Sequence, residues 1–181
     1  MKWSRNWVGM LFFCAMAVGV CQAAGVSSEN NLSAINAIAA KVLKTYPGSI
    51  DSLSVEKHRG VLVYEVEVVN PETGIKSEIK YYADSGRMVL DDEDRMGGWD
   101  SAKKRFIDDK YRLLVESPVT LLSAVEKVME KVPGQLCEAE LEHNRAKGKV
   151  FFEIEVVTDT SIVKMFVDVK TGQFIAPVVD D

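Results

Sequence analysis

Hydrophobic and polar positions along this chain follow one pattern that is written twice. Leu32, Ile35, Ile38, Ala39, Val42, Leu43 and Tyr46 recur at three- and four-residue spacing, and so do Leu121, Leu122, Val125, Val128, Met129 and Val132. Each set predicts an amphipathic helix with a single buried stripe. Ser33 and Thr120 stand where N-caps are expected, while Pro47-Gly48 and Pro133-Gly134 supply the stops.

After each Pro-Gly the period changes from helical to alternating. Leu53, Val55 and Lys57 share one face of a first strand, and Cys137, Ala139 and Leu141 share the matching face in the second copy, with Ser, Glu or His between them. A second strand is clearer still: VYEVEVV at 63–69 returns as FFEIEVV at 151–157. Leu62, Tyr64, Val66 and Val68 correspond to Val150, Phe152, Ile154 and Val156 on a core face, and Glu65 and Glu67 to Glu153 and Glu155 on a wet one. One dry and one wet face predict an antiparallel sheet covered on a single side. A third strand carries Ser77, Ile79 and Tyr81, matched by Val163, Met165 and Val167. It turns at Asp84-Ser85-Gly86 and at Lys170-Thr171-Gly172 into a short fourth strand, Met88 to Leu90 and Phe174 to Ala176.

The expected fold class is therefore α+β, with two tandem modules, each one helix packed on one face of a four-stranded antiparallel sheet. A unit of about 60 residues buries only about 60% of its unfolded surface, so two such units are expected to lean on each other. Between them, Gly97-Gly98 reads as a break, and Phe106, Ile107, Tyr111, Leu114 and Val115 predict a linker helix within 101–115. The divisions are a leader at 1–23, modules at 31–91 and 118–178, and a linker at 92–117.

The leader changes what the composition means. Lys2 and Arg5 precede an uncharged run from Trp7 to Val20 that closes on Cys21, Gln22 and Ala23, the order of an export signal cut after Ala23 or Ala24. The run is shorter than the ~20 residues a spanning helix needs, so no transmembrane span is expected in the mature chain. Val18 to Cys21 also suggest a lipoprotein box, a lesser alternative because Val20 stands where a small residue is wanted. Cleavage removes two positive charges from a net of −5. A chain this acidic is a poor ligand for nucleic acid or anionic lipid. Cleavage also leaves Cys137 as the one cysteine, which rules out an internal disulfide.

Each half resembles a PepSY domain. The likeness rests on the helix Leu32-Ser33-Ala34-Ile35-Asn36-Ala37-Ile38 ending at Pro47-Gly48, on the strand Tyr64-Glu65-Val66-Glu67-Val68, and on the closing turn from Phe166 to Ile175. It covers residues 31–91 and 118–178. The first copy departs from the pattern, with Tyr82 where Asp is expected and Asp84 in place of Lys170. The resemblance implies an extracytoplasmic module that inhibits or regulates a peptidase or another envelope or secreted protein. It brings no reactive-site motif onto particular residues.

Catalytic chemistry is thin in this sequence. There is no HExxH, no GxSxG and no glycine-rich phosphate loop after a strand. Cys137, set in alternation with Ala139 and Leu141, reads as a small core residue rather than a nucleophile. His58 and His143 fall in or beside corresponding hairpin turns, but nothing in the sequence brings them together as metal ligands. The run Asp91 to Asp94 lacks the loop spacing of a calcium site and reads as a solvated turn. No catalytic residue, metal or cofactor is expected. The candidate partner-binding residues are Glu65, Glu67, Lys80, Glu153, Glu155 and Lys164 on the wet face. The alternative function is a periplasmic sensor or carrier of a metal ion or small ligand.

Overall fold

The structure, a computed structural model, describes residues 28–103 and 105–176. The leader with Cys21 lies outside the described residues. The first module consists of α1 (Ser28–Thr45), β1 (Ser49–His58), β2 (Val61–Asn70), β3 (Ile75–Tyr82) and β4 (Met88–Arg95). The second consists of α3 (Leu121–Lys131), β7 (Gln135–Asn144), β8 (Lys149–Val157), β9 (Ile162–Asp168) and β10 (Phe174–Ile175). Between them lie a small hairpin, β5 (Trp99–Asp100) with β6 (Arg105–Phe106), and the linker helix α2 (Asp109–Glu116). Helix over antiparallel strands, twice, is the fold that the hydrophobic pattern predicts.

The two sheets are one. The strand order is β10-β9-β8-β7-β1-β2-β3-β4, joined at the centre by antiparallel pairing of β1 with β7. Leu53 faces Ala139, Ser52 faces Glu140 and Ser54 faces Glu138. Since Leu53 and Ala139 occupy the same place in their modules, this register puts a pseudo-twofold axis between them. α1 and α3 pack side by side on one face, where Asn36 donates from Nδ2 to Glu126 at 2.8 Å. Beneath them, Ile35, Val42, Leu53, Val66, Ile79, Val125, Val128, Ala139, Phe152 and Ile154 belong to a single buried cluster that crosses the module boundary.

The same close approach fixes the entry to each sheet. A Cβ on Gly48 would stand 2.4 Å from the Val69 carbonyl oxygen, and one on Gly134 would stand 2.5 Å from that of Val157. Backbone cannot retreat as a flexible side chain does, so Gly48→Ala and Gly134→Ala are each expected to cost about 1–3 kcal/mol. Urea unfolding of the two variants checks this; midpoints within error of wild type would mean that the helix-to-strand turns are not tight.

Several local expectations need correction. α1 begins at Ser28, so Ser33 lies inside the helix and is not its cap. Thr120 does cap α3, in a reciprocal capping box with Ser123. The linker helix is confined to Asp109–Glu116 and capped by Asp108, because Trp99 and Phe106 pair in the hairpin before it. The Asp91 to Asp94 run is strand, held by backbone pairing to β3, and its charges guard an outer edge. Cys137 is not core. A β-bulge between Leu136 and Glu138 shifts the alternation, turns Leu136 inward and leaves Cys137 half-buried. The matching bulge in β1 lies between Ile50 and Ser52, and there the extra residue is Asp51.

A candidate binding face shared by the two modules

The face opposite α1 and α3 is where the alternation places its polar residues, and pairing carries them into two rows across six strands. One row runs Lys164, Glu155, Glu138, Ser54, Glu65, Lys80. The other runs Phe166, Glu153, Glu140, Ser52, Glu67, Glu78. The pseudo-twofold axis exchanges the rows. All six candidate residues (Glu65, Glu67, Lys80, Glu153, Glu155 and Lys164) therefore fall on one face.

Glu138 and Glu140 belong there as well, at the centre, where the first module carries Ser54 and Ser52. Sequence reasoning passed over them, although their alternation with Ala139 and Leu141 is the signal that marks a wet face. His58 and His143 sit at the β1–β2 and β7–β8 turns, which antiparallel pairing of β1 with β7 sends to opposite ends of the sheet.

Lysines near the ends of the rows neutralise part of this charge. Lys164 Nζ reaches Glu153 at 2.6 Å and Glu155 at 2.5 Å. Lys80 reaches Asp91 at 2.5 Å, Glu78 at 3.6 Å and Glu65 at 3.9 Å. Lys76 donates to Glu67 at 2.7 Å and lies 3.7 Å from Asp51. Burial opposes the charge on Lys76, but the bond to Glu67 and the nearby Asp51 outweigh it and raise its pKa.

The centre of the face is left to the carboxylates. Burial, then the charges of Glu138, Glu142 and Glu153, push Glu140 up to about 7 against the pull of Lys110. Glu65 is likewise pushed up to about 7, by burial and then by its hydrogen bond and charge interaction with Glu78. Burial also raises Glu138, with Glu155 adding to the effect. In chemical terms, Glu140 and Glu65 hold their protons to higher pH than a free glutamate does.

At one end of this face, α2 packs on β1, β7 and β8. There the Asp51 carboxyl is buried, its Oδ1 without a hydrogen-bond partner. Burial raises its pKa despite the nearby positive charges of Lys110 and Lys76. Among the described residues, no group of three or more His, Cys, Asp or Glu is arranged to hold a metal ion, and no helix is long and apolar enough to cross a membrane.

A family model described as "Peptidase propeptide and YPEB domain" matches residues 35–86 and again residues 118–176. The chain belongs to the PepSY family. The two PepSY matches fall one on each half of the sheet, the first ending just before β4, so the repeat seen in the sequence is a tandem PepSY pair. PepSY domains generally serve as non-catalytic propeptide and regulatory modules. Among solved structures, the chain is similar to a Clostridium difficile 630 protein described as a "putative lipoprotein", at 22% identity over 79% of this chain and 90% of that one, with a TM-score of 0.42. A search of the curated proteins found no match.

Proposed function

We propose that this tandem PepSY chain is an exported, non-enzymatic binding module that inhibits or regulates a peptidase or another envelope protein, gripping it through the carboxylate face. The observation that carries the proposal is the union of both modules' glutamate rows on the sheet face that α1 and α3 leave open. Six strands at ~4.8 Å spacing and about 30 Å of strand length give on the order of 700 Å² for the whole face, of which α2 covers one end. The open part is smaller than the ~800 Å² per partner of a stable protein complex, so a partner of that size also touches α2 or the rim of the sheet. Two marginal modules joined edge to edge thus present one surface that neither could offer alone.

The partner expected for such a face carries Lys or Arg where the glutamates converge. Glu67 and Glu155 are pseudo-equivalent and sit in opposite rows, so reversing both tests both halves together. Pull-down of the tagged chain from crosslinked envelope fractions, read by mass spectrometry, should return a reproducible partner, and a purified peptidase partner should be inhibited. Glu67→Lys with Glu155→Lys is expected to weaken that binding by tenfold or more, about 1.4 kcal/mol, while circular dichroism stays unchanged. Cys137→Ala should bind as wild type. A partner held equally well by the double reversal would refute the face. A metal ion co-purifying at fixed ratio, with no protein partner, would favour the sensor or carrier instead.

A further inference from the structure

The pseudo-twofold symmetry of the sheet fails at one place, its β9 edge. In the first module β4 pairs with β3 along its length, from Tyr81↔Met88 to Ile75↔Arg95. In the second, β10 pairs only with Val167 and Phe166. Among the described residues, Ile162 to Met165 have no outer neighbour. Asp168 donates its N–H outward to Gln173 at 2.9 Å. Strand alternation puts the N–H and C=O groups of Lys164 and Ile162 on that same outer side.

The side chains there are also incomplete in a way that their counterparts are not. Ser77 and Ile79, equivalent to Val163 and Met165, are buried at 7% and 0% exposure. Val163 and Met165 remain half-buried, and Ile162 is 55% exposed. Opposite Asp92 in the first module stands Glu78, a like-charged pair; its equivalent in the second module is Lys164. An ammonium has three donors, and two of those on Lys164 go to Glu153 and Glu155. One is left for a carboxylate on an incoming strand.

We propose that the outer edge of β9 receives an extended segment of a partner protein as an added antiparallel strand, in the place that the second half of β4 takes in the first module. The register of β4 sets the order of side chains in that segment. An apolar residue faces Met165, an acid faces Lys164, and apolar residues face Val163 and Ile162. Main-chain hydrogen bonds supply the affinity and these alternating contacts supply the choice of sequence. The site adjoins the carboxylate face and shares Lys164 with it, but it works through backbone groups along an edge, so slowed exchange at the Ile162 and Lys164 amides tells the two apart. A second copy of the chain fits less well, since antiparallel pairing about Lys164 would set Lys164 against Lys164.

The probe is a synthetic peptide, Val-Asp-Val-Val-Thr-Lys, titrated into the full chain while backbone hydrogen exchange is followed. The expected result is saturable binding, with exchange at the Ile162 and Lys164 amides slowed tenfold or more. Lys164→Glu should weaken binding tenfold or more, and N-methylating the peptide amides that face β9 should abolish it. Three results would overturn the proposal: no slowing at these amides, slow exchange in the free chain at low concentration, or slowing that grows with the chain's own concentration without peptide. The second would mean that the edge is closed by the chain itself, the third that copies pair with each other.

Discussion

Phe152→Ala is expected to lower the unfolding free energy of the whole chain by about 3–5 kcal/mol. That is a large fraction of the ~5–15 kcal/mol that holds a domain together. Phe152 is fully buried in the second module, in the cluster that also holds Leu53, Val66 and Ile79 of the first. The loss should not stay local, because β1 gains its outer neighbour only by pairing with β7. Trp99 reports on the far side, packed against the β2–β3 turn at Gly74 and edge-on to Phe106 at 4.9 Å. In protein begun after the leader, which removes Trp3 and Trp7, fluorescence and far-UV circular dichroism should move together to one lower urea midpoint. A Trp99 transition left at its wild-type midpoint would show two modules that unfold independently.

The second large effect is on the pH dependence of stability. Glu140 and Glu65 have folded-state pKa values of about 7, above the ordinary glutamate value of 4.5. Between these limits the folded chain binds more protons than the unfolded one, so stability falls as pH rises through the window. The penalty is fully present above pH 7 and absent below the unfolded value. Because both groups are partly solvated, the effect is on the order of 1 kcal/mol for each. The chain should thus melt higher at pH 5 than at pH 7.5. Glu140→Gln should raise the melting temperature at pH 7.5 and flatten the profile between the two. A profile unchanged by Glu140→Gln would mean that the carboxyl titrates as if in water.

How far the sequence spoke can be traced to particular residues. The two helices, the strands and the wet face were legible because burial on one side imposes a period, and Val66 with Glu67 or Ile154 with Glu155 record it directly. The bulges at Asp51 and Cys137 were not legible, since one extra residue leaves composition untouched while turning Leu136 inward in place of its neighbour. The hairpin of Trp99 and Phe106 is too short to show a period. The start of β4 was legible at Met88 to Leu90, but its second half hid behind its acids: Asp91 to Asp94 have no dry face, and only backbone pairing to β3 makes them strand. The fusion of the sheets left the faintest trace, because main-chain groups of β1 and β7 form it around Ser52 to Ser54 and Glu138 to Glu140. That fusion is also what brings candidate residues in separate modules onto a single face.

The most direct measurement is site-specific photocrosslinking in cells. A photoreactive residue at Ser54, at the centre of the carboxylate face, is compared with one at Ala40, exposed on α1. The account predicts one partner protein captured from Ser54 and not from Ala40, with the capture lost when Glu67 and Glu155 are both changed to lysine. Capture from Ala40 with none from Ser54 would contradict it and move the binding surface to the helices.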